Sequence, residues 1–103
     1  MSKKSDSKEI KTIKPREILV GNKPLMKYVI ASIMQLKQDG SALIKARGKF
    51  ISKAVDIAEV TRKRINEKEE FVKQNDIKIG TEDFTNDKGE KINVSSIEIT
   101  LSK

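Results

Sequence analysis

The chain has 103 residues, of which 36% are hydrophobic, enough for one small domain with a modest core. It carries 22 Lys+Arg against 15 Asp+Glu, a formal charge of +7, and neither cysteine nor histidine. Disulfides, thiolate zinc sites and thiol nucleophiles are thereby excluded, and the commonest general base and metal ligand is missing. The expectation is a protein that is not an enzyme and holds no metal or cofactor. The positive excess attracts polyanions, meaning nucleic acid or an anionic membrane surface. No apolar run is long enough to span a bilayer, and the N-terminus lacks an apolar signal core, so a cytoplasmic location is expected.

Residues 1–15, MSKKSDSKEIKTIKP, are rich in Lys and Ser and lack an apolar period. They read as a flexible basic tail ahead of a single domain spanning 16–103. EILVG, residues 17–21, is a continuous apolar run closed by glycine, the pattern of a strand buried on both faces. In the segment that follows, Pro24 suits the start of a helix and Gly40 its end, and Met26, Val29, Ile30, Ile33 and Leu36 recur at helical spacing. ALIKA, residues 42–46, predicts a second strand, broken at Gly48. A second helix then places Ile51, Ala54, Val55, Ala58 and Ile65 on one face, which Phe50, Ile57 and Val60 widen. So broad a face predicts a sheet on one side and something else on the other.

DIKIGTEDF, residues 76–84, and the segment from Asn93 onward alternate as two antiparallel strands. The polar stretch 85–92 joins them. The order βαβαββ predicts a two-layer α/β sandwich: a four-stranded mixed sheet with both helices on one face.

Two strand-to-helix turns carry the chemistry. KARGK places Lys45, Arg47 and Lys49 around Gly48, and GNKP places Lys23 before Pro24. Helix N-termini carry partial positive charge and free N–H groups, which suit phosphates, and parallel strands end on one edge of a sheet. Lys23, Arg47 and Lys49 should therefore converge. The competing reading is ordinary tight turns beneath a solvated basic face. Phosphate binding by a P-loop is excluded, because the Gly-x4-Gly-Lys-Ser/Thr spacing is absent. The hairpin loop holds Lys88 and Lys91 beside Asp87 and Glu90, so its charge is balanced; it is either a solvated tip or an arm that lies along a groove. Glu82, Asp83, Asp87 and Glu90 leave a metal-dependent nuclease as a weaker alternative.

GNKPLMKYV, IKARGKFISKAVDIAEVTRKR, IKIGTE and NVSSIEITL, in this order and spacing, resemble the Alba family of archaeal chromatin proteins, from about Arg16 to the C-terminus. The resemblance implies a fold similar to the C-terminal domain of translation initiation factor three. It also implies a homodimer that binds double-stranded DNA with little sequence preference, coats or bridges it, associates with the chromosome, and binds RNA as well. Membrane and small-molecule partners are not expected. By the same resemblance Lys23, Lys45, Arg47, Gly48 and Lys49 contact nucleic acid, while the loop around Lys88 and Lys91 forms an arm toward the minor groove. Two positions depart from the family pattern. Asn22 stands where many relatives have the first lysine of an acetylatable pair, leaving Lys23 as the candidate for modification. Ile65 stands where some relatives have an aromatic residue at a dimer–dimer contact. The alternative within the same class is a protein acting on structured RNA in translation or RNA protection.

Overall fold

The computed structural model describes residues 17–68 and 71–103; the predicted tail, 1–15, lies outside them. Strand β1 (Glu17–Leu19) leads into helix α1 (Leu25–Asp39), strand β2 (Ser41–Arg47), a 3-10 turn (Gly48–Phe50) and helix α2 (Ile51–Asn66). The hairpin strands β3 (Lys73–Thr85) and β4 (Lys91–Ser102) complete the chain. The four strands form one mixed sheet in the order β1-β2-β4-β3, parallel between β1 and β2 and antiparallel elsewhere. Both helices pack on one face of it, giving the expected two-layer sandwich.

The core lies between the layers. Ala42, Ile44 and Ala46 of β2 and Ile97, Ile99 and Leu101 of β4 point inward, against Val29 and Leu36 of α1 and Ala54, Ile57, Ala58 and Ile65 of α2. Period-2 burial on the strands meets helical stripes, as an amphipathic two-layer fold requires. Gly40 ends α1 in the left-handed conformation, its N–H donating to the Leu36 carbonyl at 2.9 Å.

Three sequence expectations are revised. β1 is not buried on both faces: it is an edge strand, with Ile18 packed on the core and Leu19 57% exposed. A sheet covered by helices on only one side offers a strand only one apolar layer. On α1, Met26 and Ile30 face solvent, whereas Ser32 and Gln35 are buried, so the core-facing stripe is rotated from the one the apolar residues suggest. β3 begins three residues before the predicted start, because a register shift between Gln74 and Asp76 interrupts the alternation that sequence reading relies on.

Candidate nucleic-acid interface

The two predicted turns lie side by side. β1 and β2 are parallel neighbours, and the Val20 N–H continues their ladder by donating to the Lys45 carbonyl at 2.9 Å. Both strands therefore deliver their helices at one edge. Neither helix has a side-chain N-cap, and neither has an acidic residue in its first turn. Most helix starts are satisfied by Ser, Thr, Asp or Asn. Two starts without them, on one edge, leave partial positive charge facing outward.

Gly48 makes the second turn possible. Its φ of +55° is left-handed, and a Cβ there would sit 3.4 Å from Val94 Cγ1. The backbone therefore swings out of β2 and over the hairpin, presenting Lys49 to solvent. The Lys49 ammonium lies 5.3 Å from the Phe50 ring centroid.

The first turn is held from below by side chains that sequence reading did not assign. The Tyr28 hydroxyl accepts the N–H groups of Gly21 (2.8 Å) and Lys23 (3.2 Å). Lys53, from the start of α2, donates to the carbonyls of Gly21 (2.7 Å) and Lys23 (2.5 Å). Its ammonium also lies over the rings of Tyr28 (5.2 Å) and Phe50 (5.9 Å). The two turns are thereby laced together, and the Lys23 side chain stands exposed above them. A trace of this was present in the sequence: Lys53 falls four and seven residues before Ile57 and Val60, a lysine on an otherwise apolar stripe.

Not every predicted cation joins this surface. Lys45 lies inside β2 rather than in the turn, on the face of the sheet away from the helices. There it stands between Glu17 (3.6 Å) and Glu98 (3.9 Å), so its charge is already compensated. Strand pairing across three strands creates that arrangement, which no local pattern announces. Arg47 ends the same strand on the same face. Its Nε is 3.6 Å from Glu82, and its guanidinium lies 5.0 Å from the Phe84 ring centroid. Arg47 is thus at the predicted edge but shares its charge with the hairpin. Ile65 is 4% exposed and belongs to the core, so its side chain offers little surface for a dimer–dimer contact.

The hairpin tip is a defined turn. The Asn86 side-chain carbonyl accepts the N–H groups of Lys88 and Glu90, both at 2.9 Å. Its amide donates to Glu90 Oε1 at 2.9 Å, and Gly89 takes φ +79°. Lys88 and Lys91 are exposed on either side of it. The carboxylates considered for a metal do not assemble: Glu82 faces Arg47, Glu90 is engaged by Asn86, and no group of three potential ligands occurs among the described residues.

The chain is similar to known proteins in both sequence and fold. The Alba family model matches residues 16–81. The DNA/RNA-binding protein Alba of Methanocella arvoryzae is 51% identical over 87 residues, covering 84% of this chain and 88% of that one. The protein of the same name from Picrophilus torridus is 49% identical over 88 residues, covering 84% of this chain and 93% of its own. Among solved structures, Alba from Thermoplasma volcanium superposes with a TM-score of 0.75 at 46% identity, over 85% of this chain and all of that one. ALBA1 from Trypanosoma brucei shares the fold, with a TM-score of 0.64 at 20% identity, over 87% of this chain and 70% of its own. A family model spanning most of the chain, with relatives near half identity along nearly their whole length, makes this chain a member of the Alba family.

Proposed function

We propose that this protein binds double-stranded DNA as a homodimer with little sequence preference, coating or compacting it as an architectural chromatin component in the cytoplasm. One observation carries the reading: two helix N-termini, uncapped by side chains and free of acid in their first turns, open side by side beneath the exposed Lys23 and Lys49. Neither of these lysines is ion-paired among the described residues. Such a surface suits backbone phosphates, which position a protein on nucleic acid without reading its sequence. Arg47 adds a third cation, and Lys88 and Lys91 extend the surface along the hairpin arm. Lys23 is exposed enough for acylation, which would remove its charge.

A second reading, action on structured RNA, is supported by the DNA/RNA-binding name shared by the relatives in Methanocella arvoryzae and Picrophilus torridus. The same cations suit an A-form duplex. A salt titration of binding to matched DNA and RNA duplexes tests both. If a dimer neutralises on the order of six phosphates, log K falls against log salt with a slope near −5. A salt-independent affinity would refute phosphate binding, and a strong preference for RNA would replace the chromatin role with the second reading. Alanine at both Arg47 and Lys49 weakens binding about equally across unrelated sequences.

A further inference from the structure

We infer that Lys53 and Tyr28 are positioning residues: together they set the GNKP turn for its phosphate contact, and Lys53 itself is not a phosphate ligand. The inference rests on reading the two turns as the phosphate-contacting surface.

Lys53 sits in the acid-free basic stretch 45–55, where it would ordinarily be counted with Arg47 and Lys49. Its surroundings say otherwise. An ammonium has three N–H donors. Two of them meet the carbonyls of Gly21 and Lys23, at 2.7 and 2.5 Å. The remaining positive edge faces the Tyr28 and Phe50 rings, at 5.2 and 5.9 Å. A phosphate would have to displace bonds already made to two backbone carbonyls, that of Gly21 partly buried and that of Lys23 exposed, and charge-assisted bonds of this kind are strong.

Tyr28 works on the same two residues from the opposite polarity. Lys53 ties down the Gly21 and Lys23 carbonyls, while the Tyr28 oxygen takes their N–H groups. Four backbone groups of one short turn are thereby fixed by two side chains, one from each helix. The clamp crosses the helix layer, so the turn after β1 is held in register with the turn after β2. Holding a contact group in place before binding raises affinity by lowering the ordering cost. The Lys23 side chain stands exposed above this turn, with no ion-pair partner among the described residues.

The test is a double-mutant cycle, read as anisotropy of a labelled DNA duplex of about twenty base pairs. Tyr28→Phe is the principal arm, since it changes no charge; Lys53→Met is the second. Alone, Tyr28→Phe weakens binding ~3- to 10-fold, the equivalent of losing one hydrogen-bonding group. In a Lys23→Ala background the same change has almost no further effect, because residues acting through one contact are not additive. Lys53→Met in that background leaves the salt slope unchanged, whereas removal of a direct phosphate contact from each subunit of the dimer would reduce its magnitude by about 1.8. Thermal unfolding of each variant identifies any that lose the fold, and Tyr28→Phe keeps the test intact if Lys53→Met is one of them. Losses that multiply with Lys23→Ala, a slope reduced by Lys53→Met in that background, or wild-type affinity in Tyr28→Phe would each overturn the inference while leaving the phosphate surface standing. Wild-type affinity in Lys23→Ala would overturn both.

Discussion

Gly48 concentrates the demands of the interface in one residue. Its left-handed backbone turns the chain from β2 into the 3-10 turn, and a Cβ there would meet the Val94 methyl on the hairpin side at van der Waals contact, 3.4 Å. An L side chain in the left-handed region costs ~1–2 kcal/mol. Gly40, at φ +82° with nothing near a Cβ, is the natural control. Gly40→Ala should cost the conformational strain alone, lowering the melting temperature by on the order of 5–10 °C while leaving DNA affinity unchanged. Gly48→Ala should lose similar stability and weaken binding as well, because the displaced turn carries Lys49. Calorimetry and anisotropy on the two variants separate these effects; equal binding by both would remove Gly48 from the interface. The identity of this residue as a turn was legible in the sequence. Its closeness to Val94, 46 positions along the chain, was not.

The hairpin competes with nucleic acid for the cation at the end of β2. Register places Arg47 opposite Ser96, and Ser96 opposite Gly80, so the arginine reaches across β4 to Glu82 and Phe84 on the far strand. Both partners of the pair are near 40% exposed, and such a pair contributes little to stability, about 0–1 kcal/mol. Its effect on binding should be clearer than its effect on folding. Glu82→Gln frees Arg47 and removes a repelling charge, so duplex affinity at low salt should rise roughly 2- to 5-fold. The gain should disappear in an Arg47→Ala background, and a gain that persists there would mean that Glu82 acts by general repulsion. On α2, the Arg62 guanidinium hydrogen-bonds Glu59 and holds its carboxyl below the ordinary range. The folded-state value is depressed, so whatever this pair contributes is present above the unfolded value and is lost as pH falls through the folded one. That exposed pair is a minor, salt-screened contribution.

At the scale of the whole molecule, the sheet is wider than the helix layer that covers it. Ile77 and Ile79 pair with Ile99 and Ile97 and so share their helix-facing side, yet they are 45% and 81% exposed. Val55 of α2 is also 41% exposed. Uncovered apolar residues on an edge strand and a neighbouring helix favour burial against a second copy. Ile79→Glu should convert a dimer into a monomer in light scattering coupled to gel filtration, with Ile79→Leu remaining dimeric. A wild-type monomer at micromolar concentration would defeat the homodimer proposal.

The sequence by itself determined the element order, the two-layer architecture, the strand-to-helix turns at Gly21 and Gly48 and the family. Those features are local: apolar period, glycine and proline placement, and contiguous motifs. It also indicated that Lys23, Arg47 and Lys49 would meet, because parallel strands must end on one edge. Only the tertiary structure decided how the cations divide. Lys45 stands between Glu17 and Glu98, Arg47 is shared with Glu82, Lys53 is spent on backbone carbonyls, and Lys23 and Lys49 remain exposed. The physical reason is that a lysine's charge is fixed by its chemistry, whereas its availability depends on carboxylates and carbonyls brought within a few ångströms from distant parts of the chain.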